Sequence, residues 1–316
     1  MALNLSILYR GPLASCNYGC PYCPFGKRHD TREALARDYA ALERFVAWID
    51  AREDGRFKIL FTPWGEALIR RPYRDAMTRL SHLQQVDRVA IQTNISCDLE
   101  WVAQCDLDRV AFWCTYHPGE VARAKFLAQT RVLDLIGAHY SVGIVGLREH
   151  LDEIESVRAA LPRSTYLWVN AYKRIAGYYS ADEIDRIARV DPLFELNLHH
   201  FASRGRACRA GEEMITVDGD GSVRRCHFVR DVIGNIYEPG FEQILKPRPC
   251  SGDTCRCHIG YVHMRDLDLY SLFGGGIMER IPAGAPDREA ARLRLAAYAQ
   301  DLEASAPSYS VGNNEQ

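Results

Sequence analysis

Three cysteines within one eight-residue loop, Cys16-Asn17-Tyr18-Gly19-Cys20-Pro21-Tyr22-Cys23, constrain this chain more than any other feature of it. The loop follows an apolar run, Leu5 to Tyr9, that reads as a strand, so three thiols in C-x3-C-x2-C spacing sit on one short connection. Thiolate is a soft, strongly donating ligand. A tight loop of three suits an iron-sulfur cluster, or a zinc ion that draws its fourth ligand from elsewhere. A chance run of core cysteines is the bland reading, and spacing alone leaves these open.

Cysteine usage along the rest of the chain narrows the context. There are eleven cysteines in 316 residues, an odd number, which argues against a disulfide framework. Met1 to Ser6 lack the basic region and long apolar run of a signal peptide, and no stretch approaches the roughly eighteen apolar residues of a membrane span. A cytoplasmic protein is therefore expected. At 47% hydrophobic and 25% charged the chain is globular in composition and able to bury a sizeable core. Its net charge of −2 provides no basic field, so neither nucleic acid nor a membrane surface is expected as a partner. Cys97, Cys105 and Cys114 are scattered and read as small buried hydrophobes, whereas five cysteines fall between residues 208 and 257.

From residue 1 to about 200, short β-branched runs alternate with helical stretches. Leu35, Tyr39, Leu42, Phe45, Val46 and Ile49 recur at three- and four-residue steps, predicting a helix over Thr31 to Glu53. Strands are predicted at Phe57 to Thr62, Arg88 to Thr93, Arg109 to Thr115, Tyr140 to Gly146 and Thr165 to Ala171. Helices are predicted from Pro72 to Gln85, from Pro118 to near Gly137 and from Glu149 to Leu161. Six strands joined by such crossovers imply an α/β fold with a parallel sheet, which carries its chemistry at the carboxyl ends of the strands. The strand-end residues are then the cysteine loop, Pro63 to Glu66, Asn94, Tyr116-His117, the Gly146 turn and Tyr172-Lys173. His117 reads either as a substrate-binding or proton-shuttling group or as a hydrogen-bonded structural residue.

With Tyr22 directly before the third cysteine, the loop resembles the C-x3-C-x-aromatic-C signature of the radical S-adenosylmethionine (SAM) superfamily, with Cys16, Cys20, Tyr22 and Cys23 at the matching positions. That resemblance implies a partial (β/α)6 TIM-like barrel over residues 1–200, in which the three thiols hold a [4Fe-4S] cluster and SAM takes the iron that they leave open. It further implies SAM contacts from Gly65 and Glu66, from Asn94, from Thr115 and Val145 near the sugar and adenine, and from the backbone of Phe25. Where the family commonly has Gly-Gly-Glu, this chain has Trp64-Gly65-Glu66.

Beyond residue 200 the pattern changes. Ser180 to Glu183 form a capping-box start to a helix reaching about Val190, Phe194 to His200 read as one more strand, and Met214 to Cys226 as a hairpin whose Asp-Gly pairs supply the turn. Antiparallel pairing can bring Cys208 and Cys226 together. With Gly221 between them and Gly234-Asn235-Ile236 after them, they resemble the opening of the SPASM and twitch extensions of the same superfamily. A small twitch-type β-hairpin/α extension over 201–285 is thus implied, holding one auxiliary [4Fe-4S] cluster. Its ligands come from Cys208, Cys226, Cys250, Cys255 and Cys257, a surplus of one, with Cys208, Cys226, Cys255 and Cys257 the set favoured here. A zinc site also satisfies four thiolates. A charged helix from Pro286 to Glu303 and a disordered tail complete residues 286–316.

Taken together the resemblance implies an enzyme that reductively cleaves SAM to a 5′-deoxyadenosyl radical, which abstracts hydrogen from an unidentified small-molecule or peptide substrate. An external one-electron reductant such as flavodoxin or ferredoxin would feed it. The alternatives from the residues alone are a non-catalytic zinc-binding protein and an iron-sulfur electron-transfer or redox-sensing protein.

Overall fold

The structure, a computed structural model, describes residues 3–23 and 29–304, so the expectations for Phe25 and for a disordered tail from Ser305 lie outside the described residues. The barrel half runs β1 (Leu3–Arg10), α1 (Arg32–Asp50), β2 (Gly55–Phe61), α2 (Arg71–Ser81), β3 (Val86–Thr93), β4 (Val110–Tyr116), α3 (Arg123–Ile136), β5 (His139–Gly146), α4 (Leu151–Ala160) and β6 (Leu167–Ala171). There follow α5 (Ala181–Ala188), α6 (Phe194–Leu198), β7 (Phe201–Ala202), β8 (Met214–Asp218), β9 (Ser222–Arg224), β10 (Val232–Asn235) and β11 (Thr254–Cys255). The chain closes with α7 (His258–Tyr261), α8 (Leu269–Phe273) and α9 (Arg288–Ala304).

Strands β1 to β6 pair in chain order, all parallel, as the alternation of strand and helix predicts. Period-two alternation gives each strand two buried faces. Leu5, Ile7 and Tyr9 of β1 and Phe57, Ile59 and Phe61 of β2 face the helices, where Leu42, Phe45, Val46 and Ile49 of α1 are fully buried. Each such side chain contributes about 1.5–3 kcal/mol. Leu8, Leu60, Ala90, Ala111, Trp113 and Trp168 face the other way, onto a second core built with residues 259–278. Cys105 and Cys114 are buried in the helix-side core and Cys97 packs against it, as expected of small apolar residues. No helix among the described residues is long and apolar enough to cross a membrane.

The sheet does not stop at the barrel. β8 pairs parallel with β1, and β9 and β10 continue antiparallel beyond it, giving the nine-strand order β10-β9-β8-β1-β2-β3-β4-β5-β6. The predicted hairpin is therefore an extension of the barrel sheet through its first strand. Its turn has positive φ at Gly221 (88°) but not at Gly219.

Three local expectations are corrected. Phe194 to His200, read as a strand, is the short helix α6 followed by β7, because Asn197 turns inward to accept from Ala171 N and donate to the Tyr261 hydroxyl. The helix expected from Pro118 begins at Arg123, since residues 117–121 form a turn in which Glu120 N and Val121 N donate to the His117 carbonyl. Helix α2 ends at Ser81, short of Gln85, whose side chain donates to the Ile49 and Asp50 carbonyls instead. The capping box at Ser180 and Glu183 forms as predicted.

Candidate active site at the barrel mouth

The cysteine loop is fastened from several sides. Asp30 accepts from Ala14 N, Ser15 N and the Ser15 hydroxyl at 2.7–2.9 Å. Burial pushes the Asp30 carboxyl up, but these hydrogen bonds and the Arg70 charge outweigh it and hold it below the usual range. Asn94 at the end of β3 donates to Asn17 Oδ1 at 3.0 Å, Glu120 accepts from Gly19 N at 2.9 Å, and Arg174 beyond β6 donates to the Tyr22 carbonyl at 2.9 Å. Loop geometry is thus dictated by Asp30 just ahead of α1 and by the ends of three strands, β3, β4 and β6, that are distant from the loop in sequence.

The second strand end makes the closest approach. A Cβ on Gly65 would lie 1.9 Å from the Ser15 carbonyl oxygen, so only glycine fits there. Trp64, where the family pattern has its first glycine, needs no such space: its ring lies 4.0 Å from the Arg10 guanidinium and beside His227 at the rim. Glu66 is buried and turned inward, accepting from Leu68 N, the Thr93 hydroxyl and Asn94 N at 3.0, 2.8 and 2.6 Å. Burial raises its pKa against the pull of those three donors. Its side chain clamps the ends of β2 and β3 together.

His117 serves the loop itself. Its Nδ1 lies 2.9 Å from the Tyr22 hydroxyl and 3.4 Å from Cys20 Sγ, and its ring stacks on Tyr22 at 5.9 Å. Burial drives the imidazole down to about 4 and pushes the Cys20 thiol up to about 11, with Glu120 adding to the latter. The Cys16 thiol is also raised by burial. Thiols in such surroundings give up their protons to a positive centre and otherwise keep them.

Cys16, Cys20 and Cys23 line one cavity of about 260 Å³ together with Gly65, Glu66, Asn94, Thr115, His117 and Val145. The structure therefore brings to one mouth every described SAM-site candidate except Tyr22, which stands just outside against His117. Strand counting had named most of them. It did not name Trp113, Trp168, Asn170, His258 or Arg280, which also line the mouth.

The five downstream cysteines divide. Cys208, Cys226, Cys250 and Cys255 line one small enclosed cavity. Burial raises the thiols of Cys208, Cys226 (to about 11) and Cys255, while the Arg225 charge beside Cys208 works the other way. Gly260 lets α7 approach: a Cβ there would lie 2.8 Å from Cys255 Sγ. Cys257, placed in the expected ligand set although Cys250 could replace it or Cys255, instead lines the barrel mouth with the first cysteine loop. The chain leaves its extended path between the two thiols, since β11 ends at Cys255 and α7 begins at His258; unbroken period-two alternation would have put both on one side. Four soft donors around one enclosed space fit a cluster or an ion bound by four thiolates, and the three thiols of the Cys16–Cys23 loop fit a cluster with one free coordination position. Among the described residues no three His, Cys, Asp or Glu side chains are drawn tightly enough together to hold a single metal ion.

No family model matches the sequence, and no curated protein matches it. Solved structures do. One, described as native anSMEcpe with bound AdoMet, is 12% identical with a TM-score of 0.53, over 95% of this chain and 97% of the other. A second, native anSMEcpe with bound AdoMet and Kp18Cys peptide, is 13% identical with a TM-score of 0.52 over the same shares of the two chains. AdoMet is SAM. The chain thus shares its α/β fold, a parallel partial-barrel sheet with flanking helices, with a protein solved with SAM bound.

Proposed function

We propose that this chain is a radical SAM enzyme with one auxiliary iron-sulfur cluster. The observation that carries the reading is the convergence of Cys16, Cys20 and Cys23 on the same cavity as Gly65, Asn94, Thr115 and Val145, at the strand-end mouth of a fold shared with SAM-bound anSMEcpe. Cys16, Cys20 and Cys23 would hold the catalytic [4Fe-4S] cluster, leaving one position for SAM. When bound, the cluster and SAM supply a 5′-deoxyadenosyl radical able to take a hydrogen atom from an unreactive C–H bond.

The protein's share is positional. Asp30, Asn94, Glu120 and Arg174 fix the cysteine loop, Gly65 gives the backbone a close approach to it, and Thr115 and Val145 face the region where nucleoside would lie. Trp113, Trp168 and Ile259 wall the mouth and limit water. Cys208, Cys226, Cys250 and Cys255 are the ligand set we propose for the auxiliary cluster, within a cluster-binding extension over 201–285 that follows the barrel of 1–200. Substrate oxidation with that cluster as electron acceptor, a small-molecule or peptide substrate, and an external reductant of the flavodoxin or ferredoxin type complete the reading.

The test is anaerobic reconstitution with iron and sulfide analysis and EPR with and without SAM. About eight irons per chain, an EPR signal altered by SAM, and 5′-deoxyadenosine formed on reduction are expected. Replacing Cys16, Cys20 or Cys23 by alanine should abolish that product, whereas Cys208→Ala or Cys226→Ala should spare it and stop substrate turnover. Normal 5′-deoxyadenosine formation by the Cys20→Ala protein would sink the assignment. A colourless protein carrying zinc and no sulfide would establish the zinc reading, and a brown protein indifferent to SAM the electron-transfer one.

A further inference from the structure

Arg280 is the one cation among the described residues that line the mouth, and its placement is costly. It is a non-glycine residue held at φ 55°, it is 3% exposed, and its guanidinium makes no hydrogen bond or ion pair with any described residue, its Nε being fully enclosed. Left-handed backbone is strained for a residue that carries a side chain, and burying a charge with no hydrogen-bonded partner costs more still. Such an arrangement persists only where the surroundings enforce it.

They do so on both sides. Glu279 pairs with Arg88 at 3.1 Å and its carbonyl accepts from the Ser141 hydroxyl at 2.7 Å, which in turn accepts from Trp168 Nε1. Ile281 N donates to the Gly276 carbonyl, and a Cβ on Gly276 would meet the Ile281 oxygen at 1.9 Å. The turn between them can only present Arg280 inward. There its guanidinium lies 4.4 Å from the Trp168 ring centroid and 5.7 Å from that of Trp113. Aromatic faces hold the plane of the cation and leave its edge donors free. The acid nearest in electrostatic terms, Asp191, spends its oxygens on the Tyr166 hydroxyl, Val169 N and Leu193 N, and forms no ion pair with Arg280. Beside Arg280 in the same mouth stands His258, 3% exposed, with Nε2 enclosed and unpartnered.

We infer that Arg280, with His258 beside it, is a binding site for an oxyanion, a carboxylate or phosphate, carried by the substrate. A planar fork of donors fits either group, and an anion resolves the unpaired charge and the unmet donors together. The anion is distinct from the carboxylate of SAM. Arg280 packs on Trp113 of β4 and Trp168 of β6, whereas the thiol loop that would position the SAM amino acid follows β1 and abuts Gly65 beyond β2. This inference deepens the radical SAM reading by naming a chemical class of substrate.

The test uses reconstituted full-length holoprotein with SAM present at constant ionic strength, following tryptophan fluorescence, since Trp113 and Trp168 flank the site. Acetate and inorganic phosphate are the probes and acetamide the neutral control. Saturable quenching by at least one anion, absent with acetamide, is expected, and the more effective anion identifies the group. Arg280→Gln should weaken that binding roughly ten- to a hundredfold while SAM binds as in the wild type. The proposal is overturned if wild-type protein answers acetamide as it answers the anions, if Arg280→Gln titrates unchanged, or if Arg280→Gln weakens SAM by the same factor. The comparison of acetate with acetamide on wild-type protein stands even should the variant fold poorly. Formation of 5′-deoxyadenosine by the same wild-type sample separates the two readings: anion binding without SAM cleavage defeats the enzyme reading alone, and cleavage without anion binding defeats this one alone.

Discussion

Gly65 and Ser15 meet at backbone distance: a side chain on Gly65 would begin 1.9 Å from the Ser15 carbonyl oxygen, the same oxygen that accepts from Glu66 N at 3.1 Å. The contact locks the strand-end turn after β2 to the entry of the thiol loop. Neither backbone segment can give way singly, because Ser15 is also held by Asp30 and Glu66 by three donors of its own.

Gly65→Ala should therefore destabilise the protein by about 3 kcal/mol or more and displace the cysteine loop. Urea unfolding measures the first and iron retention after reconstitution the second. Trp64→Ala, which removes a rim stack on Arg10, should cost about 0.5–2 kcal/mol and leave iron content intact. Equal losses from the two substitutions would contradict the role given to Gly65.

Glu66→Gln is predicted to be clearly destabilising, and Glu66→Ala, which orphans all three donors, more so. The Oε1 position accepts from Leu68 N and the Thr93 hydroxyl, which an amide oxygen can still serve, but Oε2 accepts from Asn94 N at 2.6 Å, and an amide NH2 there faces a second donor. Each orphaned buried donor costs about 1–3 kcal/mol. Denaturant midpoints of both variants should lie well below wild type, with the Ala variant lower; a Gln variant matching wild type would refute the clamp.

The division of thiols predicts different iron stoichiometries. Cys250→Ala should lose about four of roughly eight irons, and Cys257→Ala should keep them all. The reverse result would return Cys257 to the auxiliary ligand set expected from the sequence.

Asp38 sets a pH dependence. Burial pushes its carboxyl up to about 6, against hydrogen bonds from the Tyr73 hydroxyl and Leu13 N, both made to Oδ1 at 3.0 Å. An acid whose folded pKa lies above its ordinary value of 3.8 contributes stability below that value and loses it as pH rises through about 6. Asparagine keeps the Oδ1 acceptor without the charge, so the stability of Asp38→Asn relative to wild type should rise by about 2 kcal/mol between pH 4.5 and pH 7.5. Chemical denaturation at the two pH values checks this, and a pH-independent difference would contradict it.

Much of the site was legible because its signals are local. Three thiols lie within eight residues, and six apolar runs alternate with helical periods, so counting strand ends places Gly65, Glu66, Asn94 and His117 around one mouth from the sequence alone. Local pattern misled where a side chain found a distant partner. Asn197 made a helix of an apparent strand by bonding Ala171 and Tyr261, and Gln85 left α2 for the α1 terminus.

Residues close together along the chain were enough to specify the thiol loop, the alternation of strands with helices and the capping box at Ser180, because each is a local signal. Only the tertiary structure decided that β8 pairs with β1, that Cys250 joins Cys208, Cys226 and Cys255 while Cys257 faces the mouth, and that Arg280 reaches between Trp113 and Trp168. Those are contacts between residues dozens to hundreds of positions apart. They are set by which apolar face the 259–281 segment buries against the inner barrel wall, and packing of that kind leaves no periodic trace in the chain.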